Sequence, residues 1–537
     1  MSDKRIESPT GLPGAGLAPP KPQLSLVRIL LLLIVITGFG LGGWHFATRG
    51  TPAADARSNA VPVYAPYVDV TQTPTYSFQL PSANPVSSVY LGFVVSDPGA
   101  SCRPSWGGYY TLSQAEQALD LDSRTAQLRN EGGSVMISFG GRDNSELAVG
   151  CTDTDRLVDA YLAPIERYHA TGVDLDLEGN ALNDPIANER RAKAMASIQR
   201  RFADRHKSLR IWLTLPVARS GLTAAGIAAV RAMLAAHVQV AGVNAMAMNF
   251  GSRTTSRGAM TALAEQSLNA THVQVQSLWR SAGLPSSASS GWGHVGVTVM
   301  IGVNDTANER FTTTDAAALT SFVSRHGIQR VSIWSLNRDR PCGGVFPRVG
   351  VVSNTCSGVL QAPLEFTRIL GRLRGTTVAS SAATVVAPMP AAARPVDDPA
   401  TSPYPIWRAA AAYDTGYKVV WQRVIYQAAW WSQGTPPDAA GAASATGPWQ
   451  PIGPVPPGSH AAKVVRLVHG ALRRWSPDGV YRQGDRVTFN GLPYEARWYT
   501  LGDQPVDDLP ADPGAPWRPL FKFPNEPAAA GTGVETK

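Results

Sequence analysis

Between residues 62 and 375, short apolar runs alternate with stretches of helical periodicity, and no other feature constrains the fold as strongly. Amphipathic stretches such as 186–205 and 314–326 separate the runs. Strands that alternate with helices form parallel sheets, so the pattern predicts an α/β fold, a (β/α)8 TIM barrel. A doubly wound open sheet is the alternative, although no GxGxxG motif follows the first run. Eight runs have the length and composition of buried strands: 61–70, 87–96, 134–141, 172–179, 209–217, 240–250, 293–303 and 328–336.

The fourth predicted strand, GVDLDLEG at 172–179, alternates acidic and apolar residues. Side chains alternate across a strand, so Asp174, Asp176 and Glu178 share one face. In a barrel this face points to the axis, and Glu178 lies at the carboxyl end, where barrel active sites are found. Like charges in a confined site raise the pKa of at least one carboxyl, and a carboxyl that stays protonated near neutral pH can act as a general acid. The pattern therefore predicts an acid catalyst, with a solvated polar face or a Mg²⁺ or Ca²⁺ site as alternatives.

The N-terminal sequence predicts export. Residues 29–48 form an apolar stretch of twenty residues, long enough to cross a bilayer core, and Lys and Arg residues precede it. We predict a disordered cytoplasmic segment over 1–28 and a transmembrane anchor in the inner membrane over 29–48. The remaining chain would then lie outside the cytoplasm. A cleaved signal peptide, which would give a secreted protein, is the alternative.

The four cysteines fit an oxidising compartment. None forms a CxxC pair, which argues against zinc, and the small even number fits two disulfides. We predict the pairs Cys102–Cys151 and Cys342–Cys356. The formal charge of +8 is spread over 537 residues without a dense basic run, so a nucleic-acid partner is not expected. No cofactor motif is present, and we predict a monomer with no cofactor and no metal.

The C-terminal part contains a duplication. Two stretches, which we delimit as 404–453 and 472–522, share a residue pattern at an offset of 68 residues without a gap, which aligns Trp407 with Trp475 and Trp449 with Trp517. Such a repeat indicates two copies of one small unit. Tryptophan-rich composition compensates for the small core of each copy, and we predict two small all-β modules. An Ala- and Pro-rich linker over 376–403 precedes them.

Five segments in chain order resemble signatures of glycoside hydrolase family 18, the chitinases and related endoglycosidases. TGVDLDLEG resembles the DGxDxDxE motif, and four further segments match later strands in one bacterial branch. The resemblance covers roughly 62–375 and implies the (β/α)8 barrel. It also implies retaining hydrolysis of β-1,4-linked N-acetylglucosamine polymers, in which the substrate's own N-acetyl oxygen attacks. The four further segments are SFGG (138–141), VNAMAMNFG (243–251), MIGVND (300–305) and SIWSLNRDRPC (332–342).

The resemblance also implies a role for each matched residue. Glu178 would protonate the leaving glycosidic oxygen. Asp176 would orient and stabilise the N-acetyl group, and Asp174 would share a proton or hydrogen bond with Asp176. The residues that would contact the substrate or support the acids are Trp334 as the floor for the −1 sugar, Asn249 near the N-acetyl group, Met246 in the pocket wall, and Ser138, Gly140 and Gly141 beside the acids.

Three positions depart from the family pattern. Thr171 and Asn249 stand where aspartates are usual, and Phe250 replaces the usual tyrosine. Asn249 can donate a hydrogen bond but carries no charge, and Phe250 has no hydroxyl group. Two alternatives therefore stay open: a catalytically weak or inactive lectin that binds chitin or peptidoglycan, and an endo-β-N-acetylglucosaminidase.

The two C-terminal copies resemble carbohydrate-binding modules of families 5 and 12, which implies chitin or a related polymer as the partner. The first copy is more diverged, with Tyr417 in place of the usual aspartate. Adjacent residues on a strand point to opposite sides. We therefore expect one ring of each aromatic pair to be buried and the other to be exposed for stacking on a sugar. The pairs are Trp430 with Trp431 and Trp498 with Tyr499.

Overall fold

The computed structural model describes residues 63–251, 259–286, 291–343, 352–374, 395–439, 441, 443, 446–461, 472–489, 492–505 and 515–520. The anchor predicted over 29–48 lies outside the described residues. Within those residues, no helix combines the length and the apolar character needed to span a membrane.

All eight predicted runs contain a strand. The first is divided in two around Ala65 and Pro66, and short extra strands extend the sheet. In chain order the strands of this part are β1 (Val63–Tyr64), β2 (Tyr67–Asp69), β3 (Ser88–Asp97), β4 (Ala100–Trp106), β5 (Tyr110–Thr111), β6 (Ser134–Gly140), β7 (Gly172–Asp176), β8 (Arg210–Ala218), β9 (Gly221–Leu222), β10 (Val240–Met246), β11 (Val295–Met300), β12 (Gly302–Val303), β13 (Arg310–Phe311) and β14 (Arg330–Trp334).

The parallel sheet curls until its ends meet. Neighbouring strands pair in the order β3–β6–β7–β8–β10–β11–β14. The divided first strand bridges the two ends, since β1 pairs in parallel with β14 and β2 pairs in parallel with β3. The result is an α/β barrel rather than an open sheet. The antiparallel strands β4 and β5 extend the edge of β3.

Helices surround the sheet, with one departure from the predicted alternation. Residues 70–87, between β2 and β3, form turns rather than a helix. The helices are α1 (Leu112–Leu119), α2 (Leu121–Asn130), α3 (Leu147–Gly150), α4 (Thr154–Arg167), α5 (Gly179–Asn183), α6 (Pro185–Ala203), α7 (Ala224–Ala235), α8 (Ala259–Ser281), α9 (Thr313–His326) and α10 (Glu365–Gly371).

Local sequence explains where the two helices predicted most clearly begin. The side chain of Asp184 accepts hydrogen bonds from the first turn of α6, and Pro185 occupies the first helical position, where its missing N–H costs nothing. Thr312 and Asp315 form a reciprocal capping box at the start of α9. Gly327 ends α9 in the left-handed conformation. These signals place the helices within two residues of the predicted bounds, 186–205 and 314–326.

Both predicted disulfides are present. Cys102 of β4 is bonded to Cys151, which follows α3, with a Cα–Cα distance of 4.6 Å. Cys342 and Cys356, which both follow β14, are bonded with a Cα–Cα distance of 5.0 Å. The disulfides therefore fasten segments that follow the second, third and eighth barrel strands.

The C-terminal repeat is a structural repeat. Each copy has a two-stranded and a three-stranded antiparallel sheet, and the ring packing recurs: Tyr413 lies edge-on to Trp449 at 5.2 Å and Tyr481 to Trp517 at 5.0 Å. The first copy has β15 (Ala412–Tyr413), β16 (Lys418–Trp421), β17 (Val424–Ala428), β18 (Ser432–Gln433) and β19 (Trp449–Pro454), and the second has β20 (Val480–Tyr481), β21 (Arg486–Phe489), β22 (Leu492–Ala496), β23 (Thr500–Leu501) and β24 (Trp517–Pro519).

The first copy is fixed to the barrel through the junction of α1 and α2. Asp120, the residue between these helices, accepts a hydrogen bond of 2.6 Å from the Tyr404 hydroxyl and forms an ion pair with Lys418. A Cβ atom on Gly453 would meet the Ser123 carbonyl oxygen at 1.9 Å, so β19 lies directly against α2. The end of the predicted linker also belongs to this copy, because Asp397 accepts hydrogen bonds from the backbone of Gln422 and Arg423.

Candidate active site

Asp174 lies inside the barrel, as the alternating pattern predicts. Its side chain is fully buried and accepts four hydrogen bonds, each from a different strand. Partners on four other strands can meet only at the barrel axis. The donors are Tyr67 Oη at 2.7 Å, Ser138 Oγ at 2.7 Å, Thr214 Oγ1 at 2.6 Å and Arg330 Nη1 at 2.6 Å.

Asp176 is the next acid towards the carboxyl ends of the strands. It is buried and lines the cleft, and its Oδ1 atom has no hydrogen-bond partner. Burial raises the pKa of Asp176 well above its usual value. The charges of Glu178 and Asp174 raise this pKa further, and that of Arg330 lowers it. Gly140 allows the close approach of the neighbouring strand, since a Cβ there would lie 2.1 Å from the Asp176 carbonyl oxygen.

Glu178 lies two residues beyond the end of β7. The sequence analysis had instead placed it inside the strand, which was predicted over 172–179. Its backbone is still extended, with φ −128° and ψ 163°, and α5 begins at the next residue. The half-buried side chain lines the cleft. Burial raises the pKa of Glu178, with opposing contributions from Arg142, which lowers it, and from Asp143 and Asp305, which raise it. A raised pKa suits a carboxyl group that must carry a proton near neutral pH.

Trp334 ends β14 and lines the same cleft. Its ring stacks on Phe93 with 5.3 Å between ring centroids and lies edge-on to Tyr67 at 6.2 Å. Gly141 leaves room for Phe93, since a Cβ there would come within 2.8 Å of that ring. The tryptophan is therefore a supported aromatic wall of the cleft, half-buried and open on one side.

Met246 and Asn249 also line the cleft, and Asn249 adopts a left-handed conformation with φ 55° in the loop after β10. Its amide nitrogen donates to Asp305 Oδ2 at 3.2 Å, and its amide oxygen accepts from the Thr306 backbone at 3.1 Å. Asp305 also forms an ion pair of 3.5 Å with Arg142. Arg142 follows the third barrel strand and Asp305 the seventh, so this pair reaches across the mouth of the barrel.

The cleft that these residues line has a volume of about 800 Å³. Tyr109, at the tip of the β4–β5 hairpin, forms part of its rim with 74% of the residue exposed. Within the described ranges, no group of three or more His, Cys, Asp and Glu side chains is arranged to hold a metal ion.

The structure differs from one expectation about the acids. The four donors to Asp174 do not include Asp176, so the expected direct hydrogen bond between the two aspartates is absent. The sequence analysis also missed Arg330, Tyr67, Arg142 and Asp305. Arg330 had a usable signal, because period-two alternation places it on the same face of β14 as Trp334. The loop residues had none.

The prediction for the aromatic pairs of the modules was wrong. All four rings are exposed: Trp430 by 45%, Trp431 by 56%, Trp498 by 43% and Tyr499 by 63%. Each pair lies in a bend between two strands rather than on a strand, so strand alternation does not apply. The cores use other rings, including Trp449 and Trp517.

Two curated chitinases are similar to the barrel part of the chain. A probable bifunctional chitinase/lysozyme of Escherichia coli (strain K12) is 32% identical over 288 residues, which is 52% of this chain and 31% of that protein. Endochitinase 11 of Metarhizium anisopliae is 31% identical over 287 residues, which is 52% of this chain and 53% of that protein. The chain thus matches about half or less of the length of these relatives.

Solved structures show the same relationship. The catalytic domain of a hyperthermophilic chitinase from Pyrococcus furiosus aligns with a TM-score of 0.50 and 26% identity, over 59% of this chain and 99% of that one. A catalytic-site mutant of active domain 2 of a thermostable chitinase from this organism, complexed with chito-oligosaccharides, aligns with a TM-score of 0.50 and 25% identity, over 58% of this chain and 94% of that one.

The model of carbohydrate-binding module family 5/12 matches residues 474–518, which lie within the second C-terminal copy. This match agrees with the structural repeat and with the chitinase relatives of the barrel. The barrel part of the chain is therefore similar to chitinases, and residues 474–518 match carbohydrate-binding module family 5/12.

Proposed function

We propose that the barrel hydrolyses β-1,4-linked N-acetylglucosamine polymers by the retaining, substrate-assisted route. The observation that carries the proposal is the row of Asp174, Asp176 and Glu178, which runs along the barrel axis and ends in a cleft that Trp334 lines. The relatives named as chitinases support the substrate class.

Glu178 has the properties of the general acid. It is the acid of the row nearest the open end of the barrel, and burial raises its pKa. In the proposed reaction it donates its proton to the leaving glycosidic oxygen as the bond to the anomeric carbon breaks. It then accepts a proton from the water that opens the cyclic intermediate.

Asp176 has the properties of the group that orients and stabilises the N-acetyl substituent. A buried Oδ1 without a partner is costly unless a ligand satisfies it, and the N-acetyl N–H is such a donor. The hydrogen bond would turn the acetamido oxygen towards the anomeric carbon and stabilise the positive charge of the oxazolinium ion. Trp334 would carry the apolar face of the −1 sugar, while Asn249 and Met246 would line the N-acetyl side.

The exposed aromatic pairs of the two C-terminal copies would bind the insoluble polymer. Flat rings suit the apolar faces of pyranose rings, and two weak sites on one chain raise the overall affinity for a polymer. Chitin is the partner we propose, in agreement with the family of the module.

The test is release of soluble N-acetylglucosamine oligomers from colloidal chitin by the full chain. Glu178→Gln removes the proton donor at almost constant volume, and we expect turnover to fall by about 10²–10⁴-fold. Glu189→Gln is the matched control, because it makes the same chemical change at an exposed position on α6. Equal turnover in wild type and Glu178→Gln would refute the assignment.

The competing functions give different outcomes in the same assay. If wild type binds chitin but releases nothing, the protein is a lectin on a barrel that has lost its activity. If it cleaves N-glycans and leaves chitin intact, it is an endo-β-N-acetylglucosaminidase. The direct contact of Asn249 with Asp305 favours activity, because it leaves a carboxylate beside the position of the usual aspartate.

We also propose that the barrel and modules act outside the cytoplasm, anchored through 29–48 or released by cleavage. Two disulfides support export, since such bonds persist in oxidising compartments. Thiol labelling of the cellular protein under denaturing conditions should find all four cysteines blocked. Free thiols throughout would contradict the proposal.

A further inference from the structure

Arg330 is a buried charge inside the barrel that the proposed chemistry does not use. Only about 1% of its side chain is exposed. Its guanidinium group lies 3.8 Å from the centre of the Tyr90 ring and donates to three atoms, Asp174 Oδ1 at 2.6 Å, Tyr67 Oη at 2.7 Å and Ser332 Oγ at 3.4 Å. A fully buried arginine is costly unless its charge is paired, and Asp174 supplies the opposite charge. The pair therefore ties Arg330 to the row of acids.

The hydrogen bonds around Asp174 leave no room for a proton. A carboxylate offers about four acceptor positions, and donors fill two on each oxygen of Asp174. Two of the donors also accept hydrogen bonds. Tyr67 Oη accepts from Arg330, and Thr214 Oγ1 accepts from Asn244, so each hydroxyl keeps its own proton for Asp174 or for the contact of 3.0 Å between the two hydroxyl groups.

Asp176, in contrast to Asp174, lacks hydrogen-bond donors at Oδ1. Its Oδ1 is buried without a partner, and the groups around it are mostly acidic or neutral. The charge of Arg330 favours the ionised form of Asp176, but that arginine is already paired with Asp174. The titratable and charged groups that face the Asp176–Glu178 pair are Asp174 on β7, Tyr67 on β2, Tyr90 on β3, Arg330 on β14, Arg142 and Asp143 after β6, and Asp305 after β11.

We propose that Arg330 is a positioning residue of this site: it holds Asp174 as a fixed hydrogen-bond acceptor, so that the proton of the acid row resides on Asp176 and is not shared between the two aspartates. The catalytic consequence rests on the function proposed above, whereas the location of the proton does not. The row then contains a neutral Arg330–Asp174 pair beneath a protonated Asp176.

Infrared difference spectra at neutral pH locate the proton without any need for activity. Subtraction of each variant from wild type cancels the other carboxyl groups. The protonated-carboxyl band should be lost in Asp176→Asn and kept in Asp174→Asn. A band that weakens in both variants would show a shared proton and overturn the proposal.

Variants of Arg330 test its part directly. Arg330→Met leaves Asp174 without its cation, so Asp174 should take up a proton and the difference spectrum should show one additional protonated-carboxyl band. Arg330→Lys keeps the charge and should leave the band close to that of wild type. Arg124→Met, which removes a buried arginine on α2 outside the site, should not change the band. An unchanged band in Arg330→Met would also overturn the proposal.

A double variant distinguishes misfolding from loss of the charge pair, and it relates the location of the proton to the rate of turnover. Arg330→Met alone should lower turnover of chitooligosaccharides by about 100-fold, the usual cost of a misplaced catalytic group. Arg330→Met/Asp174→Asn removes both charges and should recover at least part of that loss, because no buried charge is left unpaired. If the aspartates shared a proton, the double variant would be no better than the single one. If wild type itself proves inactive, the proposed function fails, while the infrared result still decides where the proton resides.

Discussion

The barrel and the C-terminal modules present the groups that we propose to contact sugar in opposite ways. The barrel encloses its charged groups: Asp174 and Arg330 are fully buried, and Asp176 is almost so. The modules expose flat rings such as Trp431 and Tyr499. Charges act on a reacting bond only where water is excluded and dipoles are fixed, whereas a ring that stacks on a crystalline polymer has to protrude. The difference indicates that the proposed cleavage and the proposed attachment to polymer are separable in this chain.

The two modules also differ from each other, although their cores match. At the position of Lys418, which pairs with Asp120 of the barrel, the second copy has Arg486, which pairs with Glu495 within its own sheet. Val420 and Ile425 are buried in the first copy, and their counterparts are the half-buried Thr488 and Pro493. The first copy has therefore become part of the barrel's surface.

The largest expected effect separates cleavage from attachment. Asp176→Asn should lower turnover of soluble chitooligosaccharides by roughly 10²–10³-fold, because an amide, unlike a carboxyl group, cannot lose a proton and become the anion that stabilises the cationic intermediate. Retention on colloidal chitin should not change. Asp155→Asn, an exposed aspartate on α4, is the control. A loss of retention in Asp176→Asn would mean that the barrel contributes most of the binding.

The next effect tests the contrast between the modules. Lys418→Met should destabilise the folded chain by about 3 kcal/mol, since it leaves the buried Asp120 without its cation. The equivalent change in the second copy, Arg486→Met, breaks an exposed pair and should cost within about 1 kcal/mol. Calorimetric unfolding of both variants measures the difference. Equal melting temperatures would show that the docking is not stabilising.

A smaller effect is expected from the exposed rings. The double variant Trp498→Ala/Tyr499→Ala should weaken retention on colloidal chitin by about 30-fold, since each of the two rings contributes roughly 1 kcal/mol. Hydrolysis of soluble oligosaccharides should be unaffected. The matching variant Trp430→Ala/Trp431→Ala shows whether the docked copy still binds polymer, and slower soluble hydrolysis in either one would argue against separable functions.

The smallest effect concerns the charges at the mouth of the barrel. Arg142 lowers the pKa of Glu178 and Asp305 raises it. Arg142→Gln should therefore raise this pKa and move the basic limb of the kcat/KM profile to higher pH. Asp305→Asn should move it to lower pH. Both shifts should be about half a pH unit at low salt, because these side chains are partly exposed and screened. Shifts in the same direction would contradict the assignment of the limb to Glu178.

Much of the barrel could be predicted from sequence, because its strands are short apolar runs and its helices carry caps. The acid row was predictable for the same reason, since alternation of Asp and Leu fixes which side chains share a face. Glu178 falls just outside β7 without consequence, because its backbone remains extended.

The remainder of the site depends on closure of the barrel, which local patterns do not encode. Arg142 and Asp305 are far apart in sequence and meet only because the loops after the third and seventh strands face each other. The docking of the first module depends on tertiary contacts of the same kind. The aromatic pairs were misjudged because strand alternation was applied to residues that lie in a bend.

The most direct test of substrate-assisted hydrolysis is the anomeric configuration of the first product, followed by NMR during cleavage of a chitooligosaccharide, beside the same oligosaccharide without its N-acetyl groups. The account predicts that the new reducing end is released as the β-anomer and that the deacetylated substrate is not cleaved. Release of the α-anomer, or equal cleavage of both substrates, would contradict it.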